Sequence, residues 1–261
     1  MNVFADIRIF GTPVKTIIFA VFSLLLCTTS VVAADISVLC STALSEPMAV
    51  LVPRFEHATG HKVEITFKTT NTILEQIRSG HGADLIIVGS EAATALEKEG
   101  KLLSGSRVDI GSTSVGIAVR SGTPKPDISS VEAFKQTFLS AKVVVISKSG
   151  LSSAHFLRVI EKLGMTNEIK PKLKFAEGSG RTAEYLGKGE ADVAVQLISE
   201  LMGVGGAEVV GPFPSGVDSK IVLTAGISVG AKEPEAAKSL ITFLSSPTTG
   251  PALKKTGVDP M

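Results

Sequence analysis

At four places in this sequence a short apolar segment leads into a cluster of Ser, Thr, Asn or Gly, and the pattern of an amphipathic helix follows. The apolar segments are residues 36–40, 63–67, 143–146 and 173–175, and the polar clusters are residues 41–45, 68–72, 147–153 and 178–182. The apolar segments have the length and composition of β-strands. Strands that alternate with helices in this way predict an α/β fold with a parallel sheet.

Each junction offers hydroxyl groups together with the unpaired N–H groups of a helix N-terminus, and both can donate hydrogen bonds to an anion. Ordinary helix capping uses the same residue types, so a single cluster has a simpler explanation. Four clusters at equivalent junctions favour a ligand site, because open α/β sheets bind ligands at the carboxyl ends of their strands. The candidate donors are Ser41, Thr42, Thr70, Asn71, Ser152 and Ser153.

The N-terminal segment has the layout of a secretory signal peptide. Arg8 and Lys15 precede an apolar run over residues 17–27, and small residues end the segment at Ala34. A transmembrane anchor is the alternative, but it needs about 20 apolar residues. We predict a signal peptide over residues 1–34, cleaved near Ala34, and a periplasmic protein.

Composition excludes several classes of partner. The chain has 26 Lys and Arg against 25 Asp and Glu, and residues 1–34 contain Asp6, Arg8 and Lys15, so the predicted mature chain is neutral. A neutral chain has no basic field to attract nucleic acid. Trp is absent and Tyr185 is the single tyrosine, which disfavours stacking platforms for bases. Cys40 alone remains after cleavage, so no internal disulfide is expected.

Two apolar segments, residues 114–120 and 221–229, are candidates for strands that cross between two lobes. If they cross, residues 35–116 and 225–261 form the first lobe and residues 117–224 form the second. We therefore predict a two-lobed α/β protein whose helix N-termini collect in the cleft between the lobes.

Arg181 stands at the start of a predicted helix, where a positive charge is unfavourable unless an anion lies beside it. Its guanidinium group would suit a carboxylate or an oxoanion. Lys148 and Lys68 lie inside two other clusters and could add positive charge. Solvation at the surface is the simpler explanation for both lysines.

Candidate catalytic groups are few. His155 follows two serines in the first turn of a predicted helix, and Glu177, Glu200 and Glu46 lie near the clusters, where each could act as a base or serve a structural role. The sequence contains no nucleophile elbow, complete phosphate-binding loop or paired-cysteine motif. The histidines lack metal-binding spacing, so neither a metal nor a cofactor is predicted.

Several ordered segments resemble the periplasmic molybdate-binding proteins of ABC importers, within the type II solute-binding superfamily. The resemblance runs along most of the chain after residue 34. It rests on residues 41–44, 67–77, 80–87, 150–164, 189–195, 243–247 and 253–257.

The resemblance implies that neutral hydroxyls and backbone N–H groups hold an oxoanion. Position by position, it implicates Ser41, the pair Thr70 and Asn71, the backbone at Ser152 and the backbone around Gly180. The family's fifth contact is a tyrosine after the motif at residues 189–192, but residues 195–200 read Val-Gln-Leu-Ile-Ser-Glu. Gln196 in this segment and the charge of Arg181 make an organic carboxylate an alternative ligand.

The predicted function is capture of a small anion for an ABC permease, by a monomer. The same fold group is similar to aconitate isomerase, a secreted enzyme that interconverts trans- and cis-aconitate. In that alternative, Arg181 and Lys148 would clamp carboxylates while His155 or Glu177 moves a proton. An adhesion or structural protein is disfavoured, because the chain has no internal repeat.

Overall fold

A computed structural model describes residues 33–177 and 181–261. Most of the predicted signal segment, residues 1–32, and the predicted contact Gly180 lie outside the described residues. The strands are β1 (Asp35–Ser41), β2 (Lys62–Lys68), β3 (Leu85–Gly89), β4 (Val108–Arg120), β5 (Val144–Ser147), β6 (Leu173–Ala176), β7 (Val193–Leu197), β8 (Ala207–Pro212), β9 (Lys220–Ile227) and β10 (Asp259–Pro260). The helices are α1 (Ser45–Thr59), α2 (Thr70–Arg78), α3 (Ser90–Lys98), α4 (Val131–Ser140), α5 (Leu151–Lys162), α6 (Thr166–Ile169), α7 (Ala183–Gly187), α8 (Ile198–Leu201), α9 (Pro234–Leu244) and α10 (Gly250–Lys255).

The strands join in the order β2-β1-β3-β9-β4-β7-β5-β6, with β8 and β10 paired to β4. β1 runs parallel to β2 and β3, and β5 runs parallel to β6 and β7. β9 and β4 lie antiparallel to their neighbours. The sheet is therefore mixed, and the prediction of a parallel sheet holds only for these two groups of three strands.

The long strand β4 connects the two parallel groups. It pairs with β9 as far as Ser114, and it pairs with β7 from Val115 onward. Gly116 lies at this transition, where a Cβ atom would be 2.7 Å from the carbonyl oxygen of Gly211. The close approach explains why the strand carries glycine here.

The predicted strands all form, and their ends differ from the apolar segments by a few residues. The junctions after β1, β2 and β5 lead into helical turns, as the sequence indicates, and the junction after β6 includes residues 178–180, outside the described residues. β8 was not predicted, because its side chains are mostly half-buried and Gly211 interrupts its apolar pattern. Near the C-terminus, α9 is followed by the short helix α10.

Apolar side chains on both faces of the sheet form the core. One face of α1 buries Met48, Leu51 and Phe55, which lie at positions i, i+3 and i+7 of the helix. Phe55 is fully buried and its ring lies 5.6 Å from that of Phe243. Burying a side chain of this size stabilises the fold by about 1.5–3 kcal/mol. In the other half, Phe134 contacts the rings of Phe138 and Phe213, with centroids 4.7 Å away in both cases.

Asp84 fixes the junction of β1, β3 and α9. Its Oδ2 accepts hydrogen bonds from the Ser37 backbone N–H at 2.8 Å and from the Ser37 hydroxyl at 2.6 Å. Its Oδ1 accepts from the backbone N–H groups of Lys232 at 2.6 Å and Glu233 at 3.0 Å, just before α9 begins. Burial raises the pKa of Asp84, but these hydrogen bonds outweigh it and hold the pKa below its usual range.

Candidate functional site

Two adjoining cavities lie where the carboxyl ends of the parallel strands meet. We call the smaller one the Ser147 pocket; it has a volume of about 20 Å³ and is lined by Ser41, Thr42, Thr69, Thr70, Ser147, Gly150, Leu151, Gln196, Leu197 and Glu200. We call the larger one the Arg181 cavity; it has a volume of about 170 Å³ and is lined by Thr42, Ser45, Glu46, Phe67, Arg181, Gln196 and Glu200. The two share Thr42, Gln196 and Glu200, so together they form one continuous candidate site.

Hydroxyl groups of the Ser147 pocket also cap the local turns. Ser41 ends β1, and its Oγ accepts a hydrogen bond from the Ala43 backbone N–H at 3.4 Å. Thr69 precedes α2, and its Oγ1 accepts from the Thr72 backbone N–H at 3.3 Å. The capping explanation is therefore correct for both junctions. Capping also fixes each hydroxyl at the wall of the pocket.

Ser147 ends β5 and completes the pocket from the other parallel group. Its Oγ lies 2.7 Å from the Oγ of Ser153 in the first turn of α5, and both residues are buried. Gly150 lies between these two serines in the chain. A Cβ atom at this position would overlap the hydroxyl of Ser147. A glycine is needed here for space and not for backbone conformation, since its φ is −80°.

Glu200 lies at the wall shared by the two cavities. Thr42 donates a hydrogen bond from Oγ1 to Glu200 Oε1 at 2.5 Å, and Gln196 and the Leu197 backbone N–H also hydrogen-bond to the carboxyl group. Glu200 is the third residue of α8, and its bond to Leu197 is the reach-back contact that closes a helix N-terminus. Burial raises the pKa of Glu200, against the lowering by Thr42, Leu197, Gln196 and the charge of Arg181.

Gln196 supports the opposite wall. Its Oε1 accepts hydrogen bonds from the Thr182 backbone N–H at 2.9 Å and from the Thr182 hydroxyl at 2.8 Å. Thr182 and Gln196 are both buried. This contact ties the start of α7 to the end of β7, and it thereby positions Arg181 one residue earlier.

Arg181 lies beside a carboxylate of the protein itself. Its Nη2 is 2.7 Å from Oε1 of Glu46 in the first turn of α1, and the two side chains are 42% and 37% exposed. The sequence indicates that an anion should lie near Arg181, and in this structure Glu46 supplies it. An exposed pair of this kind contributes little to stability, so a ligand carboxylate can compete for the guanidinium group.

The loops after β2 and β5 contact each other beside the site. Asn71 donates from Nδ2 to the backbone carbonyl of Ser149 at 3.1 Å, and the Thr69 and Ser149 hydroxyl oxygens lie 3.4 Å apart. Asn71 also lines a groove of about 570 Å³ between α2, α3, α5 and β9. The contacts with Ser149 thus join elements from the two parallel groups.

The structure brings many of the predicted binding residues together, and others lie outside the two cavities. Ser41, Thr42, Thr70, Arg181 and Gln196 line one or both cavities. Ser153 lies behind the pocket wall, and Ser152 is buried in the same first turn of α5. Lys148 is exposed and does not line either cavity.

The two proton carriers considered for the isomerase alternative also lie outside both cavities. His155 Nε2 is 2.8 Å from the backbone carbonyl oxygen of Val217, and its ring packs 5.8 Å from that of Phe213. Glu177 is exposed at the end of the first described segment. Of the carboxylates considered as bases, Glu46 and Glu200 are the two that line the site.

Sequence reasoning did not select Thr69, Ser147, Ser45 or Phe67 as site residues. Ser147 and Thr69 belong to the polar clusters, so their position in those clusters was an available signal. Ser45 also belongs to a polar cluster, whereas Phe67 faces the Arg181 cavity because β1 and β2 are neighbours, with Cys40 opposite Phe67. That pairing is tertiary information.

Other functional features are limited in the part of the chain that the structure describes. No cluster of three or more His, Cys, Asp or Glu side chains that could hold a metal ion occurs among residues 33–177 and 181–261. Over the same residues, no helix has the length and apolar character needed to span a membrane. Cys40 is buried, and burial raises the pKa of its thiol, which disfavours the reactive thiolate.

Comparison with known proteins identifies the class of this chain. Residues 36–259 match the family described as bacterial extracellular solute-binding protein, and the chain belongs to this family. It is 30% identical over 254 residues to an aconitate isomerase from a Pseudomonas species, covering 93% of this chain and 95% of that enzyme. It is 26% identical over 234 residues to the molybdate-binding protein ModA of Azotobacter vinelandii, covering 86% of this chain and 90% of that protein.

Solved structures share the fold. The periplasmic molybdate-binding protein of Azotobacter vinelandii superimposes with a TM-score of 0.69 at 19% identity, covering 85% of this chain and 98% of that one. A substrate-binding domain of a molybdenum transporter from Clostridium difficile gives a TM-score of 0.65 at 18% identity, with coverages of 88% and 100%. The prediction of the periplasmic binding protein fold is thereby confirmed.

Proposed function

We propose that this protein is the periplasmic component of an ABC importer and that it captures a small organic carboxylate. The Arg181 cavity carries this proposal. Its guanidinium group faces a space of about 170 Å³ that the polar side chains of Thr42, Ser45 and Gln196 also line. Guanidinium groups bind carboxylates with two parallel hydrogen bonds, which neutral donors cannot reproduce.

The Ser147 pocket gives a second reason to expect an anionic ligand. Its hydroxyls and the helix N-termini behind them donate hydrogen bonds without adding charge. At about 20 Å³, the pocket accepts a single small group and not a whole organic acid. A carboxylate ligand would place one end near these hydroxyls and another near Arg181.

The expected cycle follows from the arrangement of the strands. We propose two lobes, residues 35–116 with 225–261 and residues 117–224, that close on the ligand. Contacts such as Asn71 with Ser149 would form in the closed state. A signal peptide cleaved near Ala34 would deliver the monomer to the periplasm, where an ABC permease would accept the closed form.

A thermal-shift panel of molybdate, tungstate, sulfate, citrate, trans-aconitate and cis-aconitate tests the proposal. A ligand present at 100 times its dissociation constant stabilises the native state by about 2.7 kcal/mol. We expect one or more tricarboxylates to raise the melting temperature more than sulfate does. If molybdate alone raises it, the carboxylate part of the proposal is wrong; if none of the six does, anion capture is wrong.

The second candidate is isomerisation of aconitate, and a specific observation favours it. The relative that is 30% identical carries that name, and the site holds Glu200, a carboxyl group with a raised pKa. The isomerisation moves one proton along an allylic system, and it needs a base that can return the proton. In this second candidate function, Glu200 is the base in place of His155 and Glu177, because Glu200 lines the site.

Proton NMR of trans-aconitate with the purified protein separates the two candidates. Isomerisation requires cis-aconitate signals to grow with time and with protein concentration. Glu200→Gln should then remove the conversion, whereas Glu161→Gln, at an exposed position in the last turn of α5, should not. Binding with no conversion over a day would leave capture as the function.

A further inference from the structure

If every carboxyl group that lines the site is ionised, the charges around the site disfavour an anion. The charged side chains among the described residues that line the two cavities are Glu46, Arg181 and Glu200. Glu46 and Arg181 are paired at 2.7 Å and cancel each other. An ionised Glu200 would therefore leave the site with one negative charge, facing the ligand.

Hydrogen bonds from Thr42, Gln196 and the Leu197 backbone N–H offset part of that charge, but the surroundings of Glu200 supply little positive charge. The elements packed against α8 near the site bring Thr42 from the turn after β1, Gln196 from β7 and Glu46 from α1. Thr42 and Gln196 are neutral, and Glu46 is negative. Arg181 is the cation that acts on Glu200, and it is engaged with Glu46.

We infer that Glu200 is neutral in the ligand-bound protein, so that capture of an anion takes up one proton and Glu200 itself becomes a hydrogen-bond donor to the ligand. The inference rests on the proposed function and adds a specificity-determining residue to it. A neutral carboxyl group offers one O–H donor, whereas the ionised form only accepts. Burial raises the pKa of Glu200, which is consistent with protonation at moderate pH.

Glu200 also has a structural role that must be separated from this one. Its bond to the Leu197 backbone N–H closes the N-terminus of α8, and an ionised carboxylate would serve that purpose equally well. A purely structural Glu200 stays in the same protonation state when a ligand arrives. Proton uptake on binding is therefore the measurement that distinguishes the two roles.

The test is isothermal titration calorimetry of trans-aconitate and of molybdate into the purified protein, in two buffers with different ionisation enthalpies. The difference between the two buffers gives the number of protons taken up. Measurements between about pH 6.5 and 8.5 keep ordinary carboxylates of the probe ionised. We expect an uptake approaching one proton at the upper pH, and an affinity that falls by up to about tenfold per pH unit.

Two variants assign the proton. Glu200→Gln keeps the size of the side chain and should bind the probe with no proton uptake and no dependence on pH over this range. Glu161→Gln, at an exposed position that lines neither cavity, should behave as the wild type does. Should Glu200→Gln not fold, Thr42→Val is the substitute. It removes the hydroxyl that donates to Glu200, so the pH midpoint of binding should move upward.

The outcomes separate this inference from the proposed function. Binding of either probe with no proton uptake by the wild type, or uptake that persists in Glu200→Gln, overturns the inference and leaves anion capture intact. Absence of binding by both probes over the whole pH range overturns both.

Discussion

Asp84 and Glu200 are two carboxyl groups in similar settings that have opposite properties. Both lie at the junction of a strand and a helix, and both accept several hydrogen bonds. The pKa of Asp84 is lowered and that of Glu200 is raised. The difference lies in the hydrogen-bond donors. Asp84 accepts hydrogen bonds from three backbone N–H groups and one hydroxyl group, and together they lower its pKa by more than burial raises it. The hydrogen bonds to Glu200 lower its pKa by less than burial raises it.

The comparison shows how a structural carboxylate differs from one at a ligand site. Asp84 lies beside the start of α9, and the hydrogen bonds that it accepts stabilise its negative charge. Glu200 faces two cavities, so a ligand can change its environment. We therefore expect substitution of Asp84 to affect folding and substitution of Glu200 to affect binding.

Asp84→Ala should have the largest effect on stability. It removes the acceptor for four hydrogen bonds, and leaving these partly buried donors unpaired should lower the free energy of unfolding by about 3–4 kcal/mol. Urea unfolding at neutral pH measures this change. The matched control is Asp192→Ala, at an exposed position that accepts from the backbone N–H groups of Lys142 and Val143, for which we expect about 1 kcal/mol.

Ligand affinity completes the test of the Asp84 variant. The dissociation constant for trans-aconitate should stay within about twofold of the wild type, since Asp84 does not line either cavity. Equal losses of stability in Asp84→Ala and Asp192→Ala would contradict the prediction that Asp84 is the more important of the two for folding. A large loss of affinity without loss of stability would place Asp84 with the ligand site.

Arg181→Ala should have the largest effect on binding. Loss of a charge-assisted contact weakens a carboxylate ligand by roughly 1.5–3 kcal/mol. The free energy of unfolding should change by less than about 1 kcal/mol, because the pair with Glu46 is exposed. Titration calorimetry with trans-aconitate measures the affinity, and Arg158→Ala, at an exposed position of α5, is the control. An unchanged dissociation constant would mean that Arg181 does not contact the ligand.

The sequence predicted the elements and their order, because strand and helix periodicity are local properties. β1, β2 and β5 each end at the first residue of the predicted polar cluster, and β6 ends two residues before the fourth cluster begins. Ser41, Thr42, Thr70 and Gln196, which the sequence predicts as binding residues, all line the Ser147 pocket. They lie together because the carboxyl ends of parallel strands meet at one edge of the sheet.

The interactions that decide the chemistry could not be predicted in this way. Thr42 and Glu200 are 158 residues apart, and Arg181 and Glu46 are 135 residues apart. Such contacts depend on the pairing of whole strands, which periodicity does not give. His155 is a further example: its position in the first turn of a helix made it a candidate proton carrier, but its ring contacts the Val217 carbonyl and Phe213, away from both cavities.

The pH dependence of stability should have opposite signs at the two carboxyl groups. The folded pKa of Asp84 is lowered, so its contribution is present above the unfolded value near pH 3.9 and is lost as the pH falls through the folded pKa. The folded pKa of Glu200 is raised, so its contribution is present below the unfolded value near pH 4.3 and is lost as the pH rises through the folded pKa.

Urea unfolding over a pH series checks both signs. Asp84→Asn should flatten the acid side of the stability profile, and Glu200→Gln should flatten the region above about pH 4.3. One group changes the free energy of unfolding by at most about 1.4 kcal/mol per pH unit. If both variants flatten the same side, the assignment of opposite pKa shifts is wrong.

Glu46→Gln should have the smallest effect, and its sign is informative. Glu46 occupies Arg181 at 2.7 Å, so a ligand carboxylate must compete with it. Removing the charge of Glu46 should strengthen binding of trans-aconitate by about 0.2–1 kcal/mol, the usual range for an exposed pair. Weaker binding would mean instead that Glu46 holds Arg181 in position for the ligand. The double variant with Arg181→Ala decides between these roles: if Glu46 acts only through Arg181, its substitution has no effect on affinity in that background.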